Sequence, residues 1–130
     1  MHLPNRIHIY MIYFFIEKAR AISKKIMKQL NCKQMGANGL KDVFLIFNTN
    51  SIIEMEQFRK VADMLELGIM DDELDWIYSF ALSLECKKYA IYYSDFGLPF
   101  SGFWDTLQRY GRPDNGCYSE KSVRYPNIFF

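Results

Sequence analysis

Proton transfer near neutral pH calls first for histidine, and this chain has two, His2 and His8, both among its first ten residues. Chain ends are where order is weakest, so His2 is a poor general acid or base. His8 reads as a residue at the start or surface of the first helix. No GxSxG, HExxH or glycine-rich phosphate loop occurs, and no cluster has metal-ligand spacing. Asp95-Phe96-Gly97 repeats a kinase tripeptide in letters only, without the glycine loop, lysine or catalytic loop that would give it meaning, and reads as a turn. Asp71, Asp72, Glu73 and Asp75 lack the alternating ligands and central glycine of a calcium loop. A helix start accounts for them, because the positive end of the helix dipole favours acids. One enzyme-like constellation is left: Asp95 and Asp105 near Tyr92, Tyr93 and Trp104, beside Arg109 and Arg112. Carboxylates next to guanidinium groups suit acid–base work on an anion, but Tyr and Asp beside glycine turns also arise by chance. An enzyme therefore ranks third, and no cofactor or metal is expected.

Binding chemistry is better represented. Residues 12–34 carry a net charge of +5 and residues 54–75 a net charge of −6, within a chain whose overall charge is +1. The two blocks either neutralise each other in the fold or face different partners. Arg20, Lys24 and Lys28 step at i,i+4 along one helix face with Lys25 alongside, a geometry that tracks phosphates. Tyr13 or Phe14 would then stack on a base, and nucleic-acid binding is the second reading. The first rests on aromatics, 17% of the chain. The C-terminal third holds Phe96, Phe100, Phe103, Trp104, Tyr110, Tyr118, Tyr125, Phe129 and Phe130, and Tyr, Trp and Arg are the usual anchors of protein interfaces. Trp76, Phe100, Trp104, Arg109, Tyr110, Arg112, Tyr118 and Tyr125 are the candidate partner-binding residues.

The elements that must hold these residues follow from periodicity. Asp71–Lys88 winds Leu74, Ile77, Tyr78, Ala81 and Leu84 onto one face, with Phe80 and Leu82 widening it and Trp76 at the edge of a polar stripe; this helix is expected at the centre. A first helix runs from Ile7 or Ile9 to Leu30, with Ile12, Phe15, Ile16, Ala19, Ile22, Ile26 and Leu30 inward. Val43–Phe47, VFLIF, reads as a strand covered on both faces. Ser51 and Glu54 suggest a capping box for a helix to Leu67, with Met55, Phe58, Val61, Ala62 and Leu65 inward and Gly68 as its left-handed stop. Glu56–Lys60 and Arg59–Asp63 would pair along its outer side. Asp71 is the expected cap of the central helix. Tyr89–Tyr93, YAIYY, alternates as a strand does, Ser101 caps a short helix ending at Gly111, and a last strand is placed at Lys121–Tyr125.

The order α-β-α-α-β-α-β describes one α+β domain over residues 1–130, about four helices on a short sheet of two or three strands, with a parallel pair permitted by the crossover. A mostly helical domain is the alternative if VFLIF or YAIYY is helical. The apolar run Ile7–Ile16 is too short for a membrane span, and charges crowd its only small-x-small site, so the protein is expected to be soluble and not membrane-bound. Cys32, Cys86 and Cys117 are odd in number, far apart and without CxxC spacing, as in a reduced, cytoplasmic protein; a Cys86–Cys117 disulfide remains open. The composite expectation is a small non-catalytic binding domain, an inhibitor of a protein partner such as a toxin or an enzyme, in the manner of immunity proteins, antitoxins or phage inhibitors. The domain's own core and a homodimer mate are the other homes for its surplus aromatics.

Overall fold

The computed structural model describes residues 3–47, 52–89 and 97–112. Within them five helices alternate with one small strand pair: α1 (Leu3–Cys32), α2 (Ala37–Phe47), β1 (Ile52–Ile53), α3 (Met55–Met64), α4 (Asp71–Tyr89), β2 (Leu98–Pro99) and α5 (Phe100–Tyr110). The fold is mostly helical. Its sheet is two residues wide and antiparallel, with Ile52 opposite Pro99 and Ile53 opposite Leu98, in place of the parallel pair the crossover allowed.

VFLIF is a helix, not a strand. Only Leu40 and Phe44, one i,i+4 step apart, are buried on α2, whereas Leu45, Ile46 and Phe47 are exposed. The run is not covered on two faces, and one helical stripe suffices to place Phe44 in the core. Packing of that stripe outweighs the mild helix reluctance of Val and Ile. Most of YAIYY and the strand expected at 121–125 lie outside the described residues, and Tyr89 closes α4.

The core takes Ala19, Ile22, Ile26 and Leu30 from α1, Phe58, Val61 and Ala62 from α3, Leu74, Ile77 and Ala81 from α4, and Phe103 and Leu107 from α5. Four aromatic rings knit three helices. Phe58 and Phe103 meet edge to face at 4.9 Å, and Phe44 lies within 6.4 Å of Phe58 and 5.9 Å of both Phe100 and Phe103. The Tyr78 hydroxyl donates to the Ile53 carbonyl at 2.7 Å and ties α4 to β1, while burial pushes its pKa above the ordinary phenol value.

The helix ends differ from expectation in their residues. Glu54 caps α3, its N–H donating to the Gln57 side-chain oxygen at 3.0 Å; Ser51 lies outside the described residues. The buried Gln57 also donates from Nε2 to the Phe44 carbonyl at 2.9 Å, so one side chain serves the end of α2 and the start of α3. Gly68 is left-handed as expected (φ 70°), but the residue that ends α3 comes earlier: Glu66 is left-handed too (φ 52°), the Leu67 N–H returns to Ala62, and buried Leu67 supplies the apolar contact of this motif. Met70, not Asp71, accepts the first bond of α4, from Leu74 N–H. Pro99 stands in the cap position of α5, and Ser101 falls inside the helix.

Replacing Gln57 with Leu keeps the volume but strands the Glu54 N–H and the Phe44 carbonyl, and should lower the unfolding free energy by about 1–3 kcal/mol in urea denaturation. Glu66→Gly relieves a left-handed residue bearing a Cβ and should raise it by about 0.5–1 kcal/mol. A loss of stability in Glu66→Gly would contradict the turn assignment.

Candidate functional site

Helix α1 is 30 residues long, about 45 Å at the α-helical rise, but its core residues begin only at Ala19. Ile12 is 55% exposed and Phe15 is 40% exposed, so the inward stripe expected to start at Ile12 does not reach the core there. From Tyr10 through Met11, Ile12, Tyr13, Phe14 and Phe15, every side chain is exposed, the extreme being Tyr10 at 68%. Six consecutive residues exceed one turn of 3.6 residues, so among the described residues no side of α1 is buried over this stretch, and only Phe15 makes a ring contact with another helix.

Tyr10, Tyr13 and Phe14 follow at steps of three and four and share a face, the spacing by which a helix presents anchors to a groove. Phe15 leans the other way. Its ring lies 6.2 Å from Trp76, which stacks on Phe80 at 5.2 Å and 11°, and Phe80 meets Tyr110 edge on at 5.3 Å. Lys18 sets its ammonium 5.2 Å from the Trp76 ring and 5.9 Å from Phe14, within cation–π range. The exposed stretch Tyr10–Phe15 thus continues as a half-buried aromatic seam across α4 to the end of α5.

The candidate residues separate accordingly. Trp76 and Tyr110 lie on the seam. Phe100 is 7% exposed and belongs to the core, so it is not a surface residue, and half-buried Trp104 stacks on it at 6.3 Å. Arg109 and Arg112 are exposed on or just beyond α5, and Tyr118 and Tyr125 lie outside the described residues. Of the enzyme-like set, Asp105 and Arg109 line one cavity together; Tyr92, Tyr93 and Asp95 are outside the described residues. Sequence periodicity missed the exposed turn of α1 by assigning Ile12 and Phe15 to the core. The signal was present, because a run apolar on all sides holds more residues than one face can bury.

The basic face of α1 is partly engaged. Arg20 pairs with Glu17 at 3.1 Å on its own helix, Lys25 pairs with Glu73 of α4 at 2.6 Å, Lys24 is half-buried and Lys28 is exposed. The Lys25–Glu73 pair joins the basic block to the acidic one. Arg59 reaches Asp75 of α4 through three hydrogen bonds of 2.7–3.0 Å instead of pairing with Asp63, and Asp75 raises its pKa further. Two of the acids at the start of α4 are therefore structural. Among the described residues no group of three His, Cys, Asp or Glu is placed to hold a metal ion, and no helix is long and apolar enough to cross a membrane. Cys32 and Cys86 carry free thiols.

No known protein family matches the chain, and neither curated proteins nor solved structures yield a match. The function must be argued from this surface alone.

The Lys25 hydrogen bond holds the Glu73 carboxyl below its ordinary value against the opposing effect of burial, with the Met70 N–H adding to the lowering. A depressed folded pKa means that the stabilisation is complete above the ordinary value of 4.5 and is lost as pH falls through the folded value. Lys25→Met should move the Glu73 titration back upward in a carboxyl NMR experiment. Its stability deficit, under about 1 kcal/mol near neutral pH for so exposed a lysine, should close in acid. An unchanged Glu73 titration would show that the pair does not form in solution.

Proposed function

We propose that the chain is a non-catalytic protein-binding domain whose docking element is the exposed stretch Tyr10–Phe15 of α1, with Tyr10, Tyr13 and Phe14 as anchors. One observation carries the reading: six consecutive large apolar residues, four of them aromatic, are exposed around a full turn of helix. Aromatic side chains are the commonest hot-spot anchors because each covers a large area at little loss of side-chain freedom. A helix that offers them at i, i+3 and i+4 suits an apolar groove on the partner. The narrower form of the proposal is an inhibitor that occupies such a groove on a toxin or an enzyme. The free thiols of Cys32 and Cys86 are in keeping with a reducing compartment such as the cytoplasm.

A chain tagged at its C-terminus should recover a stoichiometric protein partner from the lysate of its own host and hold it at about 0.5 M salt, where phosphate contacts would have weakened. Calorimetry with that partner should then show an affinity loss of about thirtyfold for Tyr13→Ser combined with Phe14→Ser. Thermal stability should barely change, because both side chains are exposed. Absence of a stoichiometric partner, or an affinity unaffected by the double substitution, would refute the proposal. If light scattering finds a wild-type dimer that the variant dissolves, the occupant is a second copy and the inhibitor form is excluded.

A further inference from the structure

The buried face of α4 runs Leu74, Ile77 and Ala81, and its next step is Glu85. Glu85 is carried into the domain at 6% exposure and lies against the α5 backbone, where a Cβ built on Gly102 would stand 2.5 Å from its carboxyl carbon. Its carboxylate makes no hydrogen bond or ion pair among the described residues, yet its oxygens are not fully enclosed. The side chain is buried while its charge opens on a space where a cation or a donor can meet it. What it borders is a cavity of about 410 Å³ between α4 and α5, shared with Leu84, Lys87, Gly102, Asp105, Thr106 and Arg109.

The lining narrows the chemistry of an occupant. The Thr106 hydroxyl donates to the Gly102 carbonyl at 3.1 Å, so its own oxygen retains lone pairs to accept with. Asp105 adds a second carboxylate from the exposed side of α5. Among the described residues no third metal-binding side chain joins them, so a bare metal ion lacks a ligand set here. Leu84 gives an apolar wall. Lys87 and Arg109 are exposed, so solvent screens their repulsion of a single cation held at Glu85.

We propose that this cavity receives an aliphatic ammonium or guanidinium group, with its charge against Glu85 and its stem along Leu84. Two sources carry that chemistry: a free alkylamine, and the lysine or arginine side chain of a protein. The full chain, labelled with ¹⁵N, is titrated at constant ionic strength with butylammonium, butylguanidinium, a lysine blocked at both ends, and butanol as the neutral control. The cations should shift the amides of Glu85, Gly102, Thr106 and Arg109 saturably, and butanol should bind at least about tenfold more weakly. Glu85→Gln preserves the packing on Gly102 and should weaken the cations about tenfold or more without affecting butanol. Tighter binding of blocked lysine than of butylammonium assigns the site to a protein side chain, and the reverse order assigns it to a free amine. Absence of saturable shifts, shifts centred on other residues, equal affinity for butanol, or cation affinity unchanged in a folded Glu85→Gln variant would overturn the proposal. If Glu85→Gln does not fold, the wild-type ratio of cation to butanol affinity and the location of the shifts decide alone.

Discussion

The edge-to-face contact of Phe58 and Phe103, at 4.9 Å, is the constraint on which the other helices depend. Phe58 comes from α3 and Phe103 from α5, and Phe44 of α2 meets both. Each ring contributes area burial and the quadrupole geometry that favours tilted over face-to-face pairs. Once α3 and α5 are locked at this point, α2 must present Phe44 inward. It does so as a helix because a single i,i+4 stripe with Leu40 is enough. Gln57, one residue from Phe58, uses the same proximity to close the end of α2 and open α3. The strand pair is then a clasp. It brings Ile53 and Leu98 into the core and gives the Tyr78 hydroxyl a carbonyl, but it is too small to be a surface on which helices pack.

Two glycines set how closely α5 and its end approach the neighbouring helices. At Gly111 a Cβ would stand 2.7 Å from the Met27 Cγ and 2.9 Å from the Ser23 carbonyl oxygen of α1, so the absence of a side chain sets how closely the two helices approach. Gly102 does the same toward α4, and the group that fills the space is the Glu85 side chain. Ser23 and Glu85 are thus polar residues on otherwise apolar faces, Glu85 opposite a glycine within α5 and Ser23 opposite the glycine that caps it. The Ser23 hydroxyl is fully enclosed without a partner, whereas Glu85 borders a cavity. That difference separates a polar group tolerated for close packing from one placed where a ligand can meet it.

Much of this architecture was legible from spacing. The pattern over Asp71–Lys88 predicts α4 to within a residue, and Phe58, Val61 and Ala62 of α3 and Phe103 and Leu107 of α5 are buried as their periods require. The misreadings share a cause. VFLIF, Ile12, Phe15 and Phe100 are apolar residues whose type does not reveal whether an apolar neighbour is within reach. Leu45–Phe47 of VFLIF, Ile12 and Phe15 are more exposed than hydrophobicity implies, and Phe100 is more buried than an interface residue can be. The site was half visible: Tyr13 and Phe14 stand out from the inward stripe of α1, and Trp76 from that of α4. Glu85 was hidden because Leu84, its neighbour in sequence at one edge of the same apolar arc, satisfies the pattern as well. Only the three-dimensional course of α5 decides which of the two faces inward.

Local and global preferences agree over most of this domain, and the places where they conflict are where function is to be sought. The exposed turn of α1 is the larger conflict. Its six side chains, 40–68% exposed, each forgo roughly half of the 1.5–3 kcal/mol that full burial brings, in a helix whose second half shows that the same chain can bury Ile22, Ile26 and Leu30 almost completely. Nothing in helix formation requires those residues: alanine, glutamate or lysine would hold the turn better and remain soluble. Their retention makes sense if the unburied area is covered in the working state. The aromatic seam through Trp76 and Phe80 then extends that covered surface to Tyr110, so that a partner seated on α1 would feel the position of α4 and α5 beneath it.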